Sequence, residues 1–384
     1  MKAIPTKNQQ NSVATIGFVR RGYSTTGGAE AYLKRLAAGI LARGYRVVLL
    51  GSGEWPTEAW PGGEVVAFPH HSLRSFAKEV LEYKKAGKID LLFSLERVPG
   101  CDIFRAGDGV HAAWLERRKI REPAWKRLLS SLMPRHRELL ALERELFSPS
   151  SSTLVIANSA MVAREIQERF SFPGSHVEII PNGVPPVALW SPAERHAARE
   201  ALRIEEGTFV LLFVGSGWKR KGVAIAIQAV DRLHQQDPNS NVRLWVAGKG
   251  PSRNYKSKAV RFLGPVQKME LLYSAADLFI LPTLYDPFAN ASLEALAAGL
   301  PVITTAANGC AEVIEEGVHG SVIQDSNDVE AFASAISFWQ ERLQSAEGPV
   351  IRAVCRERGS TFDMEKNLER TIEVMESRFA AVSH

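Results

Sequence analysis

The sequence predicts an α/β protein made of two doubly wound halves, and three observations carry that prediction. The chain has 384 residues, more than the roughly 250–300 at which a single hydrophobic core stops growing. Short apolar runs alternate with longer helix-period segments, which is the pattern of a parallel sheet covered by helices. The alternation then starts afresh after a Pro- and Gly-rich stretch, PNGVPP, that continues to about residue 192 and reads as a linker.

In the first half, residues 15–20 read as a strand, 21–28 as a loop and 29–43 as a helix ended by Gly44. Strand 46–50, a second apolar run at 65–68, helix 73–87 and strand 90–94 follow. A basic helical hairpin occupies 116–144, and strand 153–158, helix 160–170 and strand 176–180 lead into the linker. The second half repeats the scheme with strand 209–214, loop 215–222, helix 223–234, strand 242–247, loop 248–251, strand 260–263, helix 268–276 and strand 278–282. Asp286-Pro287 opens a turn, 291–298 are strong helix formers closed by Gly299, and 300–304 is a buried parallel strand. A last helix spans about 362–380. Sheets of this kind bind ligands at the carboxyl ends of their strands, so two facing halves would make a cleft between them.

Composition narrows the class. With 45% hydrophobic and 23% charged residues the chain should be globular. No apolar run approaches the roughly 20 residues that span a bilayer, and the opening MKAIPTKNQQN lacks the apolar core of a signal peptide. A cytoplasmic location is therefore expected. Cys101, Cys310 and Cys355 are too far apart for a CxxC pair or a disulfide framework, and read as reduced core thiols. The net charge is +5, and the cations crowd into 116–144, where they alternate with Trp125, Leu128, Leu129, Leu132 and Met133. That pattern fits a solvated helix on its own domain, or a face that docks on an anionic membrane or lipid-linked acceptor. No nucleic-acid-binding motif stands beside it, so nucleic acid is not expected as a partner.

Chemistry concentrates in YDPFANASLEALAAGLPVITT, residues 285–305. Asp286 and Glu294 flank the start of a helix, whose free N–H groups and partial positive charge suit a phosphate, while a nearby carboxylate can accept from sugar hydroxyls. In GSGWKRKG, Arg220 and Lys221 lie in a glycine-bounded strand-to-helix loop; two cations there can neutralise a diphosphate or simply be solvated. Gly27-Gly28 in TTGGAEAY marks a tight turn or a close backbone approach, and its spacing does not fit the GxGxxG of a dinucleotide oxidoreductase. Asp108 and His111 in RAGDGVHAAW complete the candidates, with Asn158 and Asn182 as further polar positions; His111 is equally readable as a structural histidine.

The 285–305 segment resembles the acid-x7-acid signature of retaining glycosyltransferases of family 4, which have the GT-B architecture. TTGGAEAYLKRLAAGILARGYRVVLL, VPGCDIFRAGDGVHAAWLERR and FVGSGWKRKGVAIAIQAV carry the likeness further, and together resemble the lipopolysaccharide core glucosyltransferase group. The resemblance runs over about residues 15–378. It implies two Rossmann-like domains facing a central cleft: an acceptor-side domain 1–187, with helix 362–384 crossing back onto it, and a nucleotide-sugar domain 188–361. It implies a metal-independent hexosyltransferase that moves glucose or a related hexose from a UDP-sugar, with retention, to a lipopolysaccharide core or similar lipid-linked glycan. No cofactor beyond the donor substrate is expected, and the enzyme would sit peripherally on the inner face of the cytoplasmic membrane.

Carried over residue by residue, the resemblance gives Asp108, Asp286, Arg220 and Lys221 catalytic roles. It gives Gly27, Gly28, Gly215, Arg220, Lys221, Asp286, Pro287, Phe288, Ala289, Asn290 and Glu294 to the donor, and His111 to the donor sugar. Arg220 and Lys221 would steady the leaving diphosphate, Glu294 would hold the ribose, and no metal site is implied; no DxD motif is present. Asp286 departs from the glutamate usual in the resembled group, and Asn290 replaces a small residue, which bears on sugar identity more than on the reaction. Two other readings are a family 4 enzyme with a different glycan or glycolipid acceptor, and a catalytically silent GT-B assembly partner.

Overall fold

Residues 13–24, 28–69, 72–122, 133–185 and 191–382 are described in the computed structural model of the chain. The chain divides into two units, one of residues 1–158, 162–180 and 367–384, the other of 159–161 and 181–366.

The first unit is built on β1 (Thr15–Val19), β2 (Arg46–Gly51), β3 (Val65–Ala67), β4 (Leu91–Ser94), β5 (Ile103–Arg105), β6 (Leu154–Ala157) and β7 (Val177–Ile179). They form a sheet in the order β3-β2-β1-β4-β5-β6-β7, and neighbouring strands pair in parallel. All five residues of β1 and all four of β4 are buried, as expected of central strands with helices on both faces. Phe18, Leu33, Leu36, Ile40, Leu49 and Phe93 pack one core, each such side chain contributing about 1.5–3 kcal/mol by leaving water. The C-terminal helix Met364–Val382 adds Ile372, Val374 and Met375 to this core, and Thr371 exchanges a 3.1 Å hydrogen bond with Tyr32.

The second unit repeats the plan with β8 (Phe209–Val214), β9 (Val242–Ala247), β10 (Val260–Gly264), β11 (Leu278–Leu281), β12 (Val302–Thr305) and β13 (Gly320–Ile323). The order is β10-β9-β8-β11-β12-β13, again parallel. Its core runs from Phe209 through Trp339 to Cys355. All three cysteines are free and buried, and burial pushes the Cys101 and Cys355 thiols up to about 12, so they are inert thiols.

Several boundaries differ from the sequence expectation. The helix expected at 73–87 stops at Tyr83, and a looser turn Lys84–Lys88 follows because Gly87 takes a φ of 73°. The unit boundary falls at 180/181 and not at 187/188. Val184 donates to Phe362 O (3.0 Å) and accepts from Met364 N–H (3.1 Å), which anchors the segment after β7 in the second unit; residues 186–190 lie outside the described residues. Strand β5, helix Pro192–Ala201, β13, and helices Val329–Gln344 and Gly348–Ser360 had no counterpart in the sequence reading.

Candidate functional site

In the second sheet β8 and β11 lie side by side while the chain winds away from them in opposite directions, so the loops after these two strands diverge at a topological switch point. After β8 come Gly215-Ser216-Gly217, a one-turn helix Trp218–Lys221, and Gly222 at a φ of 80°. A side chain at Gly222 would run into the carbonyl oxygen of Pro282. The turn is thus pressed against the loop that follows β11. Trp218, 3% exposed, stacks on Phe262 at 5.2 Å and donates to Gly215 O at 2.9 Å. Arg220 O accepts from Leu284 N–H at 2.8 Å and from the Thr283 hydroxyl at 3.1 Å. A Cβ at Gly215 would meet Lys221 Cε at 2.9 Å, so glycine there leaves the room in which the lysine stem lies.

This scaffold brings three predicted residues into contact. Arg220 Nη1 donates to Tyr285 O at 2.7 Å and to Asp286 Oδ2 at 3.1 Å, and Lys221 Nζ lies 3.3 Å from the same oxygen. Two cations share one buried carboxylate, which leaves the cluster positive and suited to an anion. The backbone of Asp286 is fixed as well: its N–H donates to Ala307 O (3.0 Å) and its C=O accepts from Gly309 N–H (2.8 Å). Pro287, Phe288 and Ala289 are buried, and Pro287 O accepts from the Ser159 hydroxyl at 2.9 Å.

Helix Asn290–Ala297 starts directly after this loop. The Ala289 N–H is taken by Asn308 Oδ1 at 3.1 Å, while among the described residues the N–H groups of Asn290 and Ala291 have no partner. Asn290 Oδ1 accepts from Asn182 Nδ2 at 2.7 Å. Glu294, one turn in and half-buried, accepts at Oε2 from the hydroxyl of Tyr273, 2.7 Å away. Burial holds the Glu294 carboxyl above the ordinary carboxylate range, opposed by the Tyr273 hydrogen bond and the Lys221 charge and reinforced by Glu270. Burial beside Glu294 drives the Tyr273 phenol well above its usual value, so it is a neutral donor.

Gly28, Asp108 and His111 belong to the first unit, and Gly27 lies outside the described residues. Gly28 begins helix Gly28–Ala42. Asp108 is exposed, in the turn closed by Gly109 N–H to Ala106 O at 3.0 Å. Asn158 Oδ1 is buried with no partner among the described residues, although its Nδ2 lies 3.5 Å from Gly107 O. His111 has a structural setting: its N–H donates to the fully buried Glu143 at 2.5 Å, and its Nε2 meets His136 Nδ1 at 3.0 Å. Burial, then the charges of Arg97, His136, Arg135 and Arg118, lower His111 to about 4, so near neutral pH the imidazole is uncharged.

In the basic segment 116–144, residues 123–132, with Trp125, Leu128, Leu129 and Leu132, lie outside the described residues. Arg117 and Arg118 are paired with Glu165 and Glu122. On helix Pro134–Leu146, Arg135, Arg137 and Arg144 are exposed and make no ion pair among the described residues. A cavity of about 610 Å³ is lined by Pro134, Arg137, Glu138, Leu140, Ala141 and Arg144. No helix among the described residues is long and apolar enough to cross a membrane.

Two residues that organise the site escaped the sequence reading. Asn308, 1% exposed, accepts from Ala289 N–H and Cys310 N–H and donates to Ser292 and Thr304, tying the acidic loop to β12. Tyr273 sits in helix Met269–Ala275. The signals were an Asn-Gly pair after a strand and a polar-tipped aromatic in an apolar helix, and both also occur in ordinary turns and cores.

Comparison with known proteins agrees with this architecture. Residues 26–187 match the family model "Glycosyltransferase Family 4", and residues 208–341 match "Glycosyl transferases group 1". The lipopolysaccharide glucosyltransferase WaaG of Escherichia coli is 27% identical over 332 residues, covering 81% of this chain and 85% of that enzyme. The crystal structure of WaaG superposes with a TM-score of 0.77 at 25% identity, covering 94% of this chain and 99% of the other. HepE of Anabaena, solved in complex with UDP-glucose, shares the fold with a TM-score of 0.68 at 19% identity, over 94% and 99% of the two chains. With one family model on each Rossmann-like half, the chain belongs to the family 4 glycosyltransferases of GT-B fold.

Proposed function

We propose that the enzyme transfers a hexose, with glucose the first candidate, from a UDP-sugar to a lipopolysaccharide core or similar lipid-linked glycan, with retention and without a metal. The observation that carries this reading is the cluster of Arg220, Lys221 and Asp286 beside the open helix N-terminus at Asn290, with Glu294 one turn further on. Cations and free N–H groups together suit a diphosphate, and the carboxylate suits the diol of a ribose. The lipopolysaccharide activity of WaaG and the UDP-glucose bound by HepE support the choice of donor and acceptor.

In the reaction the bond from the sugar's anomeric carbon to the diphosphate oxygen breaks, and a bond to the acceptor oxygen forms on the same face. The acceptor's proton passes to a phosphate oxygen of the departing UDP. Arg220 and Lys221 stabilise the negative charge that grows on the diphosphate, a task given elsewhere to a metal ion. Asp286 holds both cations in place and meets the donor sugar, and Asp108 serves the acceptor. The exposed Arg135, Arg137 and Arg144 would hold the protein on anionic lipid, each contributing roughly 1 kcal/mol near such a surface.

Thermal stabilisation by a panel of nucleotides and nucleotide-sugars, with and without EDTA, tests the reading. Saturating UDP or UDP-hexose should raise Tm by several degrees, since ligand at 100 times Kd adds about 2.7 kcal/mol to the native state. No shift with any nucleotide overturns the donor assignment, and a shift abolished by EDTA overturns the metal-free mechanism. Vesicle flotation at about 0.15 M salt, where surface charge acts over roughly 8 Å, tests the lipid contact: equal binding to anionic and neutral vesicles would end it.

A further inference from the structure

We infer that Tyr273 is a positioning residue for nucleotide binding, which holds Glu294 by one carboxylate oxygen and presents the other to a vicinal diol. The inference deepens the proposed function and rests on its assignment of Glu294 to the ribose.

The geometry is specific. Tyr273 is 6% exposed, and its hydroxyl lies 2.7 Å from Glu294 Oε2 and 3.5 Å from Ala291 O. A phenol has one proton to give, and the short contact takes it. Oε1 of Glu294 accepts no hydrogen bond among the described residues, so one oxygen is pinned and the other is available. A glutamate side chain has three rotatable bonds and on its own would lose considerable rotamer freedom on binding. A neutral donor fixed in the core makes that adjustment in advance, and this kind of pre-organisation raises affinity without touching the ligand.

The same hydrogen bond stabilises the ionised carboxylate. Glu294 faces Tyr273 and Glu270 from helix Met269–Ala275 and Lys221 from the turn after β8. Of these, Tyr273 and Lys221 favour its charged form and Glu270 opposes it. Loss of the Tyr273 hydroxyl would make the carboxyl take up its proton at a higher pH and lose its acceptor capacity earlier on acidification.

The test is calorimetric titration of the full chain and of Tyr273→Phe with UDP, 2′-deoxy-UDP and 3′-deoxy-UDP. Tyr273→Phe should weaken UDP about five- to tenfold, the scale of one ordinary net hydrogen bond, because Tyr273 acts on the ligand only through Glu294. It should weaken the deoxy analogues much less, because the contact being positioned is already missing. In transferase assays the loss should fall on KM for the donor, with kcat nearly unchanged. Unchanged UDP affinity, or an equal loss for UDP and both deoxy analogues, would show that Tyr273 only packs.

Failure of the underlying reading looks different. Wild-type protein that does not bind UDP, or binds UDP and its deoxy analogues equally, removes the ribose contact and the inference with it. If Tyr273→Phe does not fold, 3-fluorotyrosine at 273 keeps the ring and hydroxyl and makes the phenol a stronger donor. The pH midpoint of UDP binding should then move down, and an unmoved midpoint would overturn the inference.

Discussion

The two sheets share one order over six strands, with β7 added at the edge of the first, yet loops at the carboxyl ends of their strands are built differently. In the second unit the backbone is packed to contact: a methyl group at Gly222 would strike the carbonyl of Pro282, and one at Gly309 would strike that of Pro287. In the first unit a methyl group at Gly28 or Gly107 would meet nothing within 4 Å. The charges divide less sharply. Arg220, Lys221 and a buried Asp286 are locked onto one another; in the first unit Arg20 is likewise held by the buried Glu30 and shares the partly exposed Glu96 with Arg21, while Asp108 is exposed. A tight, pre-charged loop suits a ligand of fixed shape, such as a nucleotide diphosphate. An open one suits a ligand that varies, since changes on the looser side leave the fold intact.

The largest effect that would sharpen this contrast is expected at Lys221. Lys221→Ala should lower kcat at least about 100-fold, the cost of removing one preorganised group that stabilises transition-state charge, with a melting curve close to wild type. Normal turnover would mean that the cations of the tight loop are structural. Next comes Gly222→Ala, where positive φ and the Pro282 carbonyl act together. Urea unfolding should show a loss of about 2–4 kcal/mol, and a loss under about 0.5 kcal/mol, the scale of an ordinary surface substitution, would show that the tight side relaxes as easily as the open one.

A smaller effect depends on pH. His111 is lowered to about 4 in the folded chain against an ordinary 6.5, so between those values the unfolded chain binds more protons and stability falls as pH drops. From about pH 6.5 to 5 the loss should be roughly 1 kcal/mol, the full linkage value reduced because the ring is partly exposed and screened by solvent. In His111→Asn the slope of unfolding free energy against pH should flatten over that window; an unchanged slope would remove His111 from the account. The smallest change is expected at Gly28→Ala, at a helix start with open space around it. Chemical denaturation should place it between no change and about 1 kcal/mol more stable. Any loss of kcat/KM in so stable a variant then reports on ligand approach rather than on folding.

Much of this was legible in the chain itself. Strands such as β8 and β11 are apolar runs that end at Gly215 and Pro282, and hydrophobic patterning reveals them because each must be buried on both faces. Arg220, Lys221, Asp286 and Glu294 stood out because charged residues at strand-to-helix turns in an α/β sheet are placed where ligands bind. Of the elements missed, helix Val329–Gln344 carried a readable signal, an Asp328 cap with Phe332, Ile336 and Trp339 on one face, and others are locally weak. Strand β5 has three residues, and helix Gly348–Ser360 contains a Gly359 whose Cβ would collide with the backbone of Ala297, so its glycine serves close packing and not a turn. His111 showed a motif-like position, and only its neighbours Glu143 and His136, 32 and 25 residues further along the chain, identify it as a held, neutral ring.

By itself, then, the sequence determined the two parallel halves, the family and the residue types that gather at the second switch point. These are properties of local periodicity and of short motifs, and they survive without knowledge of any distant contact. Tertiary structure alone decided that Asp286 clamps both cations, that Asn308 bolts the acidic loop to β12, and that Tyr273 gives its one proton to Glu294. Each of those is a hydrogen bond or ion pair between side chains or loops from different elements. Its existence depends on ångström-scale packing, which no sequence spacing encodes.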